Sequence, residues 1–502
     1  MNSKFDEKLK EFKEYLSKLE YLESTIALLS WDSMVNAPRG GIGYRSEMIG
    51  YLSGEAYRIS TSDKMKGFIE YFSECQDSDY IVKAMAEEAK RNYDRTKKIP
   101  ENEYKEYTIA SSNSTAAWEE AKEKGDFNIF KPHLEKIVNY KRKFVEYLGY
   151  KENKYDTLLD EYEPGITTKK LDEVFSEVRD AIVDLLNKIK KSGYTPNTDF
   201  FTKQFPKEDQ KEFSEFVLKK MKYDFEQRGR IDESIHPFTI NFGNKDVRIT
   251  THYYENDFRS ALFSCIHEGG HAIYEQNITD TLKGTMLGKG ASMGIHESQS
   301  RFYENIIGKT KEFWSYFYPE ALKRFPQFEG ITLDEFYKGI NFVERSLIRT
   351  EADELTYSLH IIIRYEIEKE LINGNIEVED LPDIWNKKYN EYLGIDPKND
   401  EEGVLQDMHW SDGSFGYFPS YALGNLYGAQ FLNKMEKDLP HLYEEIKKGN
   451  LLHIHEWLKE NIHKYGAVYK PADLIKKVTD EELKAKYFIE YLNDKYTEIY
   501  NL

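Results

Sequence analysis

Residues 257–276 read DFRSALFSCIHEGGHAIYEQ, and the reading of the whole chain turns on them. Phe258, Leu262, Phe263, Ile266 and Ile273 recur at the three- and four-residue spacing of one helical face. Within that helix His267 and His271 stand four residues apart, so both imidazoles project from one side and can share a metal ion. Glu268 points to the side of the pair, where it can reach a water on the ion without ligating it. Two glycines inside a helix each cost about 1 kcal/mol relative to alanine. Gly269 and Gly270 are therefore expected to leave room beside the metal.

On the N-terminal side, residues 236–254 read HPFTINFGNKDVRITTHYY. β-formers alternate around a Gly-Asn turn, which predicts a β-hairpin flanking the site. On the C-terminal side, residues 294–300, GIHESQS, open a second apolar-periodic run through Phe302, Ile306 and Ile307, and they supply Glu297. Two neutral imidazoles and one carboxylate leave Zn²⁺ with net positive charge and one open position for water. That charge draws the water pKa towards 7, so Glu268 can take its proton at neutral pH. His296, next to Glu297, is expected to touch a ligand or the substrate, and Cys265 is assigned to packing. The extended metzincin pattern is excluded, because Tyr274 and Asn277 stand where it needs Gly and His. His455-Glu456 is a decoy, since Lys459 occupies the second histidine position.

Further out the chain reads as helical. Phe5, Leu9, Phe12, Leu16 and Leu19 form one stripe, followed by Leu22, and only 14 prolines occur in 502 residues. The proline-free segment from Leu333 to about Ile372, closed by Asn373-Gly374, predicts one helix spanning the molecule. The fold expected is mainly α: long helices around a deep groove, with a small β-hairpin or short sheet near the metal. Residues 1–502 are expected to form a single catalytic unit, helical over about 1–230, with metal and substrate residues in about 231–502. A net charge of −19 argues against nucleic acid. Two cysteines, Cys75 and Cys265, make a disulfide framework implausible. The first residues, MNSKFDEKLKEF, lack the apolar core of a secretory signal, and no run approaches a membrane span, so a cytoplasmic location is expected.

Six local patterns then fall in order: His236-Pro237-Phe238, DVRIT at 246–250, HEGGH at 267–271, His296-Glu297-Ser298, IRTEAD at 348–353 and GVLQDMHW at 403–410. Trp31-Asp32 with Pro38 adds a fainter one, although the intervening SMVNA departs from the usual form. Together they resemble the carboxypeptidase Taq family of HExxH metallocarboxypeptidases. The resemblance nominates Arg349 to pair with a substrate's terminal carboxylate, a task suited to a buried bidentate arginine. As a bare feature, Arg349 would instead pair with Asp353 one helical turn on. Arg248 and Gln406 become candidate substrate contacts, His409 and Tyr421 candidate oxyanion partners, and Asp407 a residue orienting a neighbour. Peptide substrates with a free C-terminus, broad specificity with poor release of proline, one zinc per chain replaceable by cobalt, and a homodimer are what the resemblance implies. Two rivals stand beside it. One is a helical oligopeptidase of the thimet type cutting internally, which is not expected to carry IRTEAD with GVLQDMHW. The other is an inactive metal-binding scaffold, against which the retention of Glu268 argues.

Overall fold

The computed structural model describes residues 3–75 and 79–502, and its helices begin and end where local side chains dictate. Ahead of the sheet come α1 (Ser3–Val35), α2 (Ile42–Ser60), α3 (Asp63–Glu74), α4 (Tyr80–Lys98), α5 (Glu101–Lys124), α6 (Phe127–Leu148), α7 (Asp156–Tyr162), α8 (Thr168–Ser192) and α9 (Lys207–Met221). Ser62, Asp79, Asp126 and Thr167 each start a helix by accepting a backbone N–H on the side chain. The first stripe is confirmed: Phe12, Leu16 and Leu19 are buried, and Phe12 stacks on Phe68 and Phe72 at 4.9 and 5.3 Å.

The strands are β1 (Gly229–Glu233), β2 (Thr239–Asn241) and β3 (Val247–Thr251), in the order β1-β3-β2. The expected hairpin is β2–β3, antiparallel, with Thr239 opposite Ile249 and Asn241 opposite Val247. Gly243, at φ +95°, supplies the left-handed residue of its turn. β1, parallel to β3, went unread in the sequence, because GRIDE carries little of a strand's alternation.

Beyond the sheet run α10 (Phe258–Asn277), α11 (Met293–Arg301), a π-helical turn over Phe302–Ile307, α12 (Lys311–Arg324), α13 (Leu333–Ile340), α14 (Glu354–Asn373), α15 (Leu381–Leu393) and α16 (Pro419–Asp438). Four short helices close the chain: α17 (Leu442–Lys447), α18 (Leu452–Asn461), α19 (Pro471–Thr479) and α20 (Lys486–Tyr500). The single long helix expected over 333–372 is in fact two. Asp353 ends the intervening loop by accepting N–H bonds from Leu355 and Thr356, so a new helix starts where continuity was expected. Gly374 closes α14 at φ +79°, as its position in the sequence suggests.

The two glycines of HEGGH serve packing rather than space at the metal. A Cβ on Gly269 would collide with Leu218 of α9, and one on Gly270 would lie 2.5 Å from the Gln299 carbonyl of α11. On the other side of α11, a Cβ on Gly424 of α16 would lie 2.5 Å from Glu297 Cγ. Helix α11 thus closes on α10 and α16 at backbone contact distance, and α9 packs on α10 through the Leu218 side chain.

Candidate metal centre

His267 and His271 of α10 and Glu297 of α11 present ligand atoms that all lie within 4.8 Å of one another. Their Nε2 atoms approach Glu297 Oε2 at 3.7 and 3.5 Å. The other ring nitrogens are already engaged. His267 Nδ1 lies 2.8 Å from Glu304 Oε2, and His271 Nδ1 lies 2.6 Å from His296 Nδ1. His296 Nε2 meets Glu275 Oε1 at 2.8 Å. With Nδ1–H donated to these partners, each imidazole keeps an unprotonated Nε2 for a metal. Two nitrogens and one carboxylate oxygen converging this way fit a divalent ion with an open position.

The charges around the site favour that reading for His271 and Glu297, and bias His267 towards its protonated form when no metal is bound. Burial holds His271 down to about 3, so it is neutral. Burial would lower His267 as well, but the Glu297 and Glu304 carboxylates outweigh it and raise the ring. Burial would raise Glu297, yet Arg301 and the two imidazoles keep it ionised. Arg301 Nε donates to Glu297 Oε1 at 2.7 Å, and its Nη1 reaches Glu304 at 3.3 Å.

Glu268 is buried, and burial raises its pKa. Its Oε2 accepts a 2.6 Å hydrogen bond from the Thr239 hydroxyl. From Glu297 a chain of contacts leads onward. Arg301 lies over the Tyr357 ring at 4.2 Å, and the Tyr357 hydroxyl accepts from Arg349 Nη1 at 3.2 Å. Arg349 is buried and pairs with Asp407 through Nε and Nη2, the latter at 2.8 Å. Its pairing with Asp353 does not occur, since helix α14 begins only after Asp353. Asp407, expected to orient a neighbour, has Arg349 as its partner.

Tyr421, near the start of α16, lies 5.2 Å from Arg349 Cζ, and its ring is 6.5 Å from that of His409. Burial pushes His409 down to about 4, so its imidazole is neutral. His409, Tyr421 and Arg349 therefore share one aromatic wall with Phe418 and Tyr357.

Three expected substrate contacts are otherwise engaged. His296 has both ring nitrogens bonded, to His271 and Glu275, so it positions a ligand. Gln406 accepts from the Arg349 backbone at 3.0 Å, and its amide nitrogen, with two hydrogens to give, has Leu347 O, the Tyr389 hydroxyl and Glu402 O within 3.2 Å, which makes it a brace for the loop. Arg248 pairs with Asp246 and stacks on Trp31 of α1 at 4.3 Å, clasping α1 to the sheet. Arg301, Glu304, Glu275 and Thr239 escaped the sequence reading. Arg301 and Glu304 lie four and seven residues beyond Glu297, a helical spacing that could have flagged them. Glu275, four residues beyond His271 on α10, shares that spacing, whereas Thr239 reaches the site only through tertiary packing.

Residues 11–496 match the family described as carboxypeptidase Taq (M32) metallopeptidase. Carboxypeptidase 1 of Bacillus subtilis is 50% identical over 495 residues, covering 98% of this chain and 99% of its own. Thermostable carboxypeptidase 1 of Pyrococcus furiosus is 38% identical, covering 94% of each. The crystal structure of the M32 carboxypeptidase from Deinococcus radiodurans R1 superposes with a TM-score of 0.95 at 35% identity, covering 99% of this chain and 100% of that one. With HEGGH and the downstream Glu297 assembled at one place, and Arg349 linked to them through Tyr357 and Arg301, the chain belongs to the carboxypeptidase Taq family of metallopeptidases.

Proposed function

We propose that this metallocarboxypeptidase uses zinc to hydrolyse the C-terminal bond of peptides, releasing single residues with broad specificity. The observation that carries the reading is the convergence of His267, His271 and Glu297 beside Glu268, linked through Arg301 and Tyr357 to the buried Arg349. The donor set suits one zinc ion per chain, with cobalt as a substitute. When bound, the ion supplies Lewis-acid chemistry: polarisation of a carbonyl and a lowered pKa for a water. Glu268 would take a proton from the attacking water and pass it to the leaving amine. Arg349 aims its remaining N–H donors at the terminal carboxylate of the substrate, with Asp407 fixing the fork. Neutral His409 and the Tyr421 hydroxyl face the developing oxyanion as hydrogen-bond donors. The family resemblance adds a homodimer and a cytoplasmic location to this proposal.

Mass spectrometry of a mixed peptide digest tests it. The expected products shorten from the C-terminus one residue at a time, and internal fragments would point instead to an oligopeptidase. His267→Ala is expected to lose its zinc by elemental analysis. Glu268→Gln is expected to keep zinc while kcat falls by about two orders of magnitude or more.

A further inference from the structure

The HPF and DVRIT patterns lie beside the metal helix, yet no residue of either holds the metal. Their contacts converge on one side chain. Thr250 is fully buried, its N–H donates to the Phe238 carbonyl at 2.9 Å, and its hydroxyl accepts from the Phe238 N–H at 3.0 Å. Both backbone groups of Phe238 are thereby held, which fixes the register of the next residue, Thr239, opposite Ile249. The sheet is tied to α10 one helical turn away as well, through Thr251 and Ser264 at 2.9 Å. Ser264 and Glu268 are four residues apart on the same face of α10, so these two contacts set the spacing between sheet and helix.

The Thr239 hydroxyl has two acceptors within reach, Glu268 Oε2 at 2.6 Å and the Glu268 carbonyl at 3.0 Å. It has one proton to give. The carbonyl sits mid-helix, where it already accepts the bond from the residue four positions on. The carboxylate is nearer and charged, and a hydrogen bond to a charged acceptor is the stronger one. The proton therefore goes to Oε2. Oε1 makes no hydrogen bond to any described residue, so its lone pairs are left free to accept a proton.

We propose that Thr239 is a positioning residue for catalysis: its hydroxyl locks one oxygen of Glu268, leaving Oε1 as the oxygen that accepts the proton of water. The HPF and DVRIT patterns are the bracket that holds this hydroxyl in place. The proposal rests on the reading of Glu268 as general base. An unrestrained glutamate would divide its time among rotamers, so loss of the restraint falls on the chemical step rather than on substrate binding.

The test compares Thr239→Val, Thr239→Ser and Glu268→Gln, and the double variant Thr239→Val with Glu268→Gln, in zinc-loaded enzyme. Thr239→Val is expected to retain one equivalent of zinc and a KM within about threefold of wild type, while kcat drops about 10- to 100-fold. Thr239→Ser keeps the hydroxyl and is expected to restore kcat to within a few-fold. In the Glu268→Gln background the valine is expected to cost little more, because both changes remove one function. A kcat for Thr239→Val within about threefold of wild type overturns the proposal. Equal impairment of the serine and valine variants, or full additivity in the double variant, does the same. Should the valine variant not fold, Thr239→Ala carries the same expectations. A near-normal Glu268→Gln enzyme would defeat the general-base reading itself. An inactive Glu268→Gln enzyme beside a normal Thr239→Val enzyme would defeat only the role of Thr239.

Discussion

The guanidinium of Arg349 has five N–H donors, and the fold engages its Nε and one hydrogen on each terminal nitrogen. The two hydrogens left, on Nη1 and Nη2, are the ones a terminal carboxylate would meet. Losing such a charge-assisted pair is worth about 1.5–3 kcal/mol, or roughly 10- to 150-fold in kcat/KM. Arg349→Ala is expected to lose that much on a free-acid dipeptide and little on its C-terminal amide. Lysine at 349 is expected to rescue only in part, since it offers a point charge without the fork. The variant also strips Asp407 of the cation that holds it ionised, down to about 2 against the upward push of burial. That loss destabilises the protein but bears equally on both substrates. The ratio of free-acid to amide hydrolysis, measured in wild type and variant, therefore decides, and an unchanged ratio would remove Arg349 from carboxylate recognition.

Helix α11 carries Glu297, and its N-terminus rests on a residue from a distant part of the chain. Glu163, at the end of α7, accepts from the Gly294 N–H at 3.0 Å and from the Tyr427 hydroxyl at 2.8 Å. Burial nevertheless pushes its carboxyl up to about 7. Between the ordinary value near 4.5 and 7 the folded protein holds a proton that the unfolded chain has released. Stability from this group is complete below pH 4.5 and is lost as pH rises through 7. The full span is worth about 3 kcal/mol. Glu163→Gln is expected to flatten this slope in urea titrations between pH 5 and 8. An identical slope in wild type and variant would show that Glu163 is ionised throughout. Asp353 is a second such residue: it begins α14, and burial lifts it to about 6.

At the scale of the whole molecule, a metal held by two helices that also pack on α9 and α16 binds the native state and not the unfolded chain. Its binding energy is then folding energy, about 4 kcal/mol at a thousandfold excess over Kd. Removing the ion with a chelator is expected to lower Tm by about 5 °C in calorimetry. His267→Ala is expected to start from the lower Tm and to be insensitive to chelator. A Tm unmoved by chelation in wild type would mean that the ion contributes nothing to the fold.

The chain by itself determined what depends on local spacing. His267 and His271 face one way because four residues nearly complete a helical turn, and β2 pairs with β3 because β-formers flank a glycine that can adopt positive φ. Helical stripes such as Phe12, Leu16 and Leu19 marked the core for the same reason. Only the tertiary structure decided the partners. Asp353 was available to Arg349 at helical spacing, but it caps a helix, and Asp407, 58 residues on, takes the arginine. Gly269 and Gly270 were legible as costly and not as contact points, because Leu218 and Gln299 come from other helices. Glu275 of α10 meets His296 of α11, and Thr239 holds Glu268 across a strand-to-helix interface, partners that no periodicity encodes. Spacing along a chain specifies directions, whereas hydrogen bonds and charge pairs between segments form only once packing has brought the segments together.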